Sequence, residues 1–146
     1  MPIYQCYSPQ RLITKSDKGK IAAEITRIHC EVTGERPAFV NVLFLDTPRG
    51  TSFTAGQPST RSFVMGEIRH GRDVHARHAL LRNLSQMWTQ HTNQSEAELI
   101  VALRETPAEN ACADTFGAIL PVPEDPRLAR SPLPDGRQGR TIENLN

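Results

Sequence analysis

The sequence has little of what most functional classes require. Aromatic residues are scarce, with five Phe, two Tyr and one Trp among 146 residues. Hydrophobic residues reach only 38%, enough for one modest core in one domain, and low enough that self-association is expected. No apolar run approaches the length that spans a bilayer. No charge of one sign dominates: 17 basic and 16 acidic residues leave a net charge of +1, which argues against a nucleic-acid partner and against an anionic membrane surface. Cysteine is rare and odd in number (Cys6, Cys30, Cys112), pointing to reduced thiols in a cytoplasmic protein rather than a disulfide framework. Lys15 to Lys20 interrupts any signal-peptide core, so no leader is expected. A glycine-rich phosphate loop and a Gly-x-Ser-x-Gly elbow are both missing.

What is present begins at the second residue. Met1 is followed by Pro2 and an apolar run, Ile3-Tyr4-Gln5-Cys6-Tyr7. Removal of Met1, usual before proline, leaves a free secondary amine at the start of a strand. An α-amino group titrates near neutral pH. Burial beside cations disfavours its charged form and makes it a proton shuttle at pH 7.

The rest of the chain reads as two similar units. In the first, Pro2 to Ser8 is a strand. Thr14 caps a helix with Asp17 at the third position, and Ile21, Ile25, Ile28 and Val32 form its apolar stripe up to Gly34. Ala38 to Leu45 is a strand of the kind covered on both faces. Thr47 to Ser59 is a loop with room for a short hairpin. In the second unit, Ser62 to Arg69 is a strand. Asp73 caps a helix with Val74, Leu81, Leu84 and Trp88 on one face, Asn93 to Ser95 breaks it, and Glu98 to Leu103 is the last strand. The fold class is therefore α/β, built from duplicated strand–helix–strand units. Residues 1–121 form the domain, and the Pro-rich residues 122–146 form a tail.

Several residues are candidates for chemistry. Arg69 and Arg72 flank His70-Gly71 at a strand-to-helix turn, where α/β sheets bind ligands and a helix N-terminus favours an anion. Two guanidinium groups there are suited to gripping a carboxylate in bidentate fashion; salt bridges to Glu67 and Asp73 are the plainer alternative. His29 lies beside the apolar stripe of the first helix, either as a structural residue or as a polar group aimed into a pocket. His70, His75 and His78 lack the companions a metal site needs, and no metal or other cofactor is expected. Asp114 follows the last strand as a further acid, or as an exposed cap.

These residues together resemble the tautomerase superfamily, and its cis-3-chloroacrylic acid dehalogenase-like branch. The resemblance rests on the Met-Pro start, Ile25-Thr26-Arg27-Ile28-His29 with Thr33-Gly34, Val40-Asn41-Val42, Gly66-Glu67-Ile68-Arg69-His70-Gly71-Arg72, Thr106-Pro107-Ala108 and Ile119-Leu120-Pro121. It implies a four-stranded mixed sheet with two helices on one face, assembled as a homotrimer. It implies that Pro2 and His29 are catalytic, that Arg69 and Arg72 bind the substrate carboxylate, and that Asp114 stands nearest the family's water-activating glutamate. The family tyrosine of the last strand falls at Ala102, and Thr115 competes with Asp114 for the glutamate's place. The expected activity is cofactor-independent tautomerisation of a small 2-oxo acid or enol carboxylate. The alternatives are a hydratase or dehalogenase acting on 3-substituted unsaturated acids such as cis-3-haloacrylates, and a ferredoxin-like binding module with no catalysis.

Overall fold

The computed structural model describes residues 2–107 and 110–111. The expected tail and the segment holding Asp114 and Thr115 lie outside the described residues. Strand β1, Ile3–Pro9, alternates strictly, with Tyr4, Cys6 and Ser8 buried, as a strand with one covered face must. Helix α1, Lys15–Thr33, starts where the Thr14 side chain accepts from the Asp17 N–H at 3.1 Å. It ends where Gly34 adopts a left-handed conformation (φ 72°) and its N–H donates to the Cys30 carbonyl. Ile21, Ile25, Ile28 and His29 form its buried side.

Strand β2, Asn41–Thr47, begins later than the run from Ala38 implied. Pro37 fits the first position of a 3-10 turn, and Pro37–Phe39 takes that form. The loop beyond holds the hairpin β3, Phe53–Thr54, and β4, Gln57–Pro58. Strand β5 is Ser62–Arg69 and helix α2 is Val74–Thr92, capped by Asp73. The buried side of α2 is Leu80, Leu84, Met87, Trp88 and Thr92. Val74 at the first turn is exposed, so the apolar face expected from Val74 and Leu81 is rotated toward Leu80 and Met87. A 3-10 turn at Glu96–Glu98, closed by a capping box from Ser95, delays strand β6 to Leu99–Thr106.

The four long strands form one sheet in the order β2-β1-β5-β6. β1 and β2 are parallel, as are β5 and β6, each pair bridged by its helix. The two units join through the antiparallel pair β1 and β5. Both helices cover the same face and pack on each other. The core on that side combines Tyr4, Cys6, Val64 and Ile68 with Ile21, Ile25, Leu80, Leu84 and Trp88. Burial pushes the Cys6 thiol up to about 12, so it stays protonated and serves as packing.

Gly66 sits where the units meet, paired with Tyr4 across β1 and β5. A Cβ at this position would lie 2.6 Å from Tyr4 Cε1 and 2.7 Å from Leu103 Cδ2. The Tyr4 ring occupies the space that other residues fill with their own side chain. Gly66→Ala is therefore expected to destabilise the fold by about 2 kcal/mol, the usual scale of overpacking. Urea denaturation checks this, and an unchanged midpoint would mean that the ring shifts freely.

Among the described residues, no helix covers the opposite face of the sheet. Register places Leu45, Tyr7, Phe63 and Ile100 in one row, and Leu43, Gln5, Met65 and Ala102 in the next. Leu43 is 54% exposed and Ile100 40%. A cavity of about 370 Å3 opens on this face, lined by Gln5, Tyr7, Met65, Glu67, Ala102 and Arg104 among others.

Candidate active site

The topology brings six element ends to one edge of the sheet: the starts of β1, β2 and α2, and the ends of α1, β5 and β6. Pro2 is buried there, its carbonyl accepting the Asn41 N–H at 3.0 Å. Two residues on, Tyr4 is fully buried on the helix side. Its hydroxyl lies 2.8 Å from His29 Nδ1, and the two rings meet edge-on at 5.7 Å.

His29 is only 1% exposed, and its Nε2 has no hydrogen-bond partner among the described residues. Desolvation pushes its pKa down to about 4, with Glu35 opposing the effect and Arg72 adding to it. At neutral pH the ring is therefore uncharged. Tyr4 occupies one nitrogen and leaves the other for a group from outside. Burial likewise raises the Tyr4 pKa, so its hydroxyl keeps its proton.

Arg72 reaches across from the loop before α2 to the end of α1. Its Nη2 donates to Glu35 Oε1 at 2.6 Å and its Nη1 to the Thr33 carbonyl at 3.2 Å. Helix α1 has no basic residue in its last turn, and Arg72 supplies the cation that the negative helix end favours. Arg72 Nε is buried with no partner among the described residues. The loop carrying Arg72 is itself fixed. Glu105 of β6 accepts from the backbone N–H groups of Gly71 and Arg72 at 3.2 and 3.1 Å and pairs with Arg77 at 3.3 Å. Arg77 also donates to the Arg72 carbonyl. Gly71 has φ 95°, which favours glycine. Asp73 is taken up by its cap on Ala76, at 2.9 Å.

Arg69 ends β5 exposed, in register with Thr106, and its side chain has no hydrogen bond or ion pair among the described residues. Among the described residues the two arginines thus differ: Arg72 is held and Arg69 is free. Neither pairs with Asp73 or Glu67, the partners their neighbourhood offered; Glu67 lies 3.9 Å from Arg104 instead. Pro2, His29, Arg69 and Arg72 all belong to the same edge of the sheet. Asp114 and Thr115 lie outside the described residues. Ala102 lies mid-strand opposite Met65, on the open face.

Tyr4, Glu35 and Glu105 bond to the candidate residues His29 and Arg72, and the sequence reading did not single them out. Strand alternation puts Tyr4 on the helix side, which was a usable signal. Glu35 and Glu105 carried none, because their partners lie 37 and 28 or more residues away. No group of three His, Cys, Asp or Glu able to hold a metal ion occurs among the described residues. No helix among them is long and apolar enough to cross a membrane.

Residues 1–129 match the family described as "Putative oxalocrotonate tautomerase enzyme". The crystal structure of native Ps01740 is similar, with 32% identity and a TM-score of 0.74 over 76% of this chain and 99% of that one. N1, a member of the cis-3-chloroacrylic acid dehalogenase family, shares 24% identity with a TM-score of 0.75, covering 89% of this chain and 92% of its own. A wild-type fused 4-OT asymmetric trimer shares 16% identity and a TM-score of 0.72, over 77% of this chain and 92% of that one. The last two are likenesses of fold. No curated protein matches the chain.

Proposed function

This chain belongs to the oxalocrotonate tautomerase family of the tautomerase superfamily, and on that premise we propose that it is a cofactor-independent tautomerase acting through the amine of Pro2. The observation that carries the reading is a pair of buried nitrogens without partners among the described residues, His29 Nε2 and Arg72 Nε. They belong to the sheet edge that also holds buried Pro2. Buried polar groups are nearly always paired within a protein, and exceptions call for a ligand or water.

In the proposed reaction the neutral Pro2 amine takes the hydroxyl proton of a small enol carboxylate. It returns that proton to the adjacent carbon as the 2-oxo acid forms. Nothing is oxidised and no group leaves. Burial and the neighbouring guanidinium groups disfavour the ammonium form of Pro2 and keep the amine basic. Arg69, with its fork unoccupied among the described residues, holds the substrate carboxylate. Arg72 Nε adds one hydrogen bond, and the uncharged His29 orients the 2-oxygen or a water through Nε2. Tautomerisation needs only this amine and this clamp. Hydration needs a water-activating acid as well, and Ala102 has no hydroxyl to assist one. The deciding experiment is ketonisation of phenylenolpyruvate by protein lacking Met1, compared with Pro2→Ala.

The working unit is proposed to be a homotrimer. The exposed Leu43, Met65 and Ile100 on one sheet face support this, since clustered exposed apolar residues mark an interaction surface. Sedimentation equilibrium should give a particle of three chains, and Met65→Asp should shift it toward the monomer. A monomeric wild-type protein would overturn this assembly.

A further inference from the structure

We propose that Glu35 is a specificity-determining residue: it is a resident carboxylate on Arg72 that a second substrate carboxylate would have to displace. The inference rests on the tautomerase reading of the site and adds the class of acid it selects. A bidentate grip needs two N–H groups on one edge of a guanidinium. On Arg72, Nη2 already donates to Glu35 and Nη1 to the Thr33 carbonyl, so a carboxylate that uses either terminal nitrogen meets an acceptor bound there. Glu35 is not a loose surface acid that swings aside. It follows the left-handed Gly34 that ends α1, and its N–H donates to Thr33 Oγ1 at 3.2 Å. Thr33 Oγ1 is anchored in turn on the His29 carbonyl at 2.7 Å.

The charges at this edge lead to the same conclusion. Arg77 is matched by Glu105 and Arg72 by Glu35. Asp73 is spent on the positive end of α2, and His29 is neutral. Among the described residues, Arg69 and Arg36 are left without an acid; Arg36 lies over the Phe39 ring, and Arg69 is the one that ends β5 just before the Arg72 loop. One such charge suits one carboxylate. A dicarboxylate brings a second negative charge against Glu35, and like charges placed together at a binding site are strongly disfavoured.

The test uses two acids of equal chain length, 2-oxopentanoate and 2-oxopentanedioate, titrated calorimetrically into Met1-free protein. Wild type is expected to bind the monocarboxylate at least about tenfold more tightly. Glu35→Gln and Glu35→Ala are expected to tighten dicarboxylate binding by about tenfold, the alanine variant at least as much because it leaves no acceptor in place of Glu35 on Arg72 Nη2. A wild-type preference for the dicarboxylate, unchanged preference in both variants, or no binding of either acid would overturn the proposal. Phenylenolpyruvate turnover in Pro2→Ala is read separately. Turnover indifferent to Pro2 with the binding shift intact removes the catalytic reading and leaves the selectivity. A Pro2-dependent enzyme whose variants show no shift removes only the role of Glu35.

Discussion

Replacing Pro2 with alanine in protein freed of Met1 is expected to lower kcat/KM for phenylenolpyruvate ketonisation by about two to four powers of ten, the usual contribution of a positioned acid–base group. Three features make the effect this large. Pro2 is buried, so bulk water cannot readily replace its amine. Its ring fixes the direction of the nitrogen, whereas an alanine amine rotates. Its carbonyl is also held by Asn41 at the start of β2, so the reacting nitrogen is set by the sheet. The same argument makes protein that retains Met1 nearly inactive, because an acylated Pro2 nitrogen has no basic lone pair. A spectrophotometric assay of the three forms decides the matter. Equal turnover in Pro2→Ala would overturn the mechanism.

Acidification from pH 6.5 to 4.5 is expected to remove about 2 kcal/mol of stability through His29 alone. Its pKa falls from the ordinary 6.5 to about 4 in the fold, chiefly by desolvation. Below pH 6.5 the unfolded chain takes up a proton at this imidazole while the folded protein does not. Stability is therefore full above pH 6.5 and declines as pH falls toward 4. Carboxylates whose pKa is lowered, such as Asp17 and Asp73, add their own losses only at lower pH. Glu24 and Glu98, also lowered from a higher ordinary value, begin to contribute near pH 4.5, so it is the comparison with His29→Gln that isolates the histidine. Urea denaturation at pH 7.5, 5.5 and 4.5 measures the slope. His29→Gln, which cannot be protonated, should flatten it, and a wild-type curve already flat in this interval would mean that His29 titrates normally. The neutral ring that the fold enforces is also the form that the proposed chemistry uses.

Some features of this protein were determined by short stretches of sequence because their physics is local. Thr14 with Asp17 begins α1 and Gly34 ends it; Asp73 begins α2 and Asn93 ends it. Each of these depends on groups within a few residues, so spacing alone reveals it. The order of elements likewise sufficed to place Ser62–Arg69 and two strand–helix–strand units, while the mixed sheet with both helices on one face was expected from the family resemblance. The start of β2 and the buried side of α2 were less legible, since a proline turn and the neighbouring helix decide them.

The site lies at the other extreme. Pro2, His29, Arg69 and Arg72 were singled out as candidates by residue type, order and family resemblance, which do not say how they are partnered. The Tyr4–His29 bond spans 25 residues and the Arg72–Glu35 pair 37. The space for the Tyr4 ring exists only because Gly66 lies opposite it across β1 and β5. Local sequence carries helix caps and strand faces because their partners are neighbours along the chain. Which carboxylate reaches which guanidinium is decided by strand register and helix packing, which exist only once the two units have closed on each other.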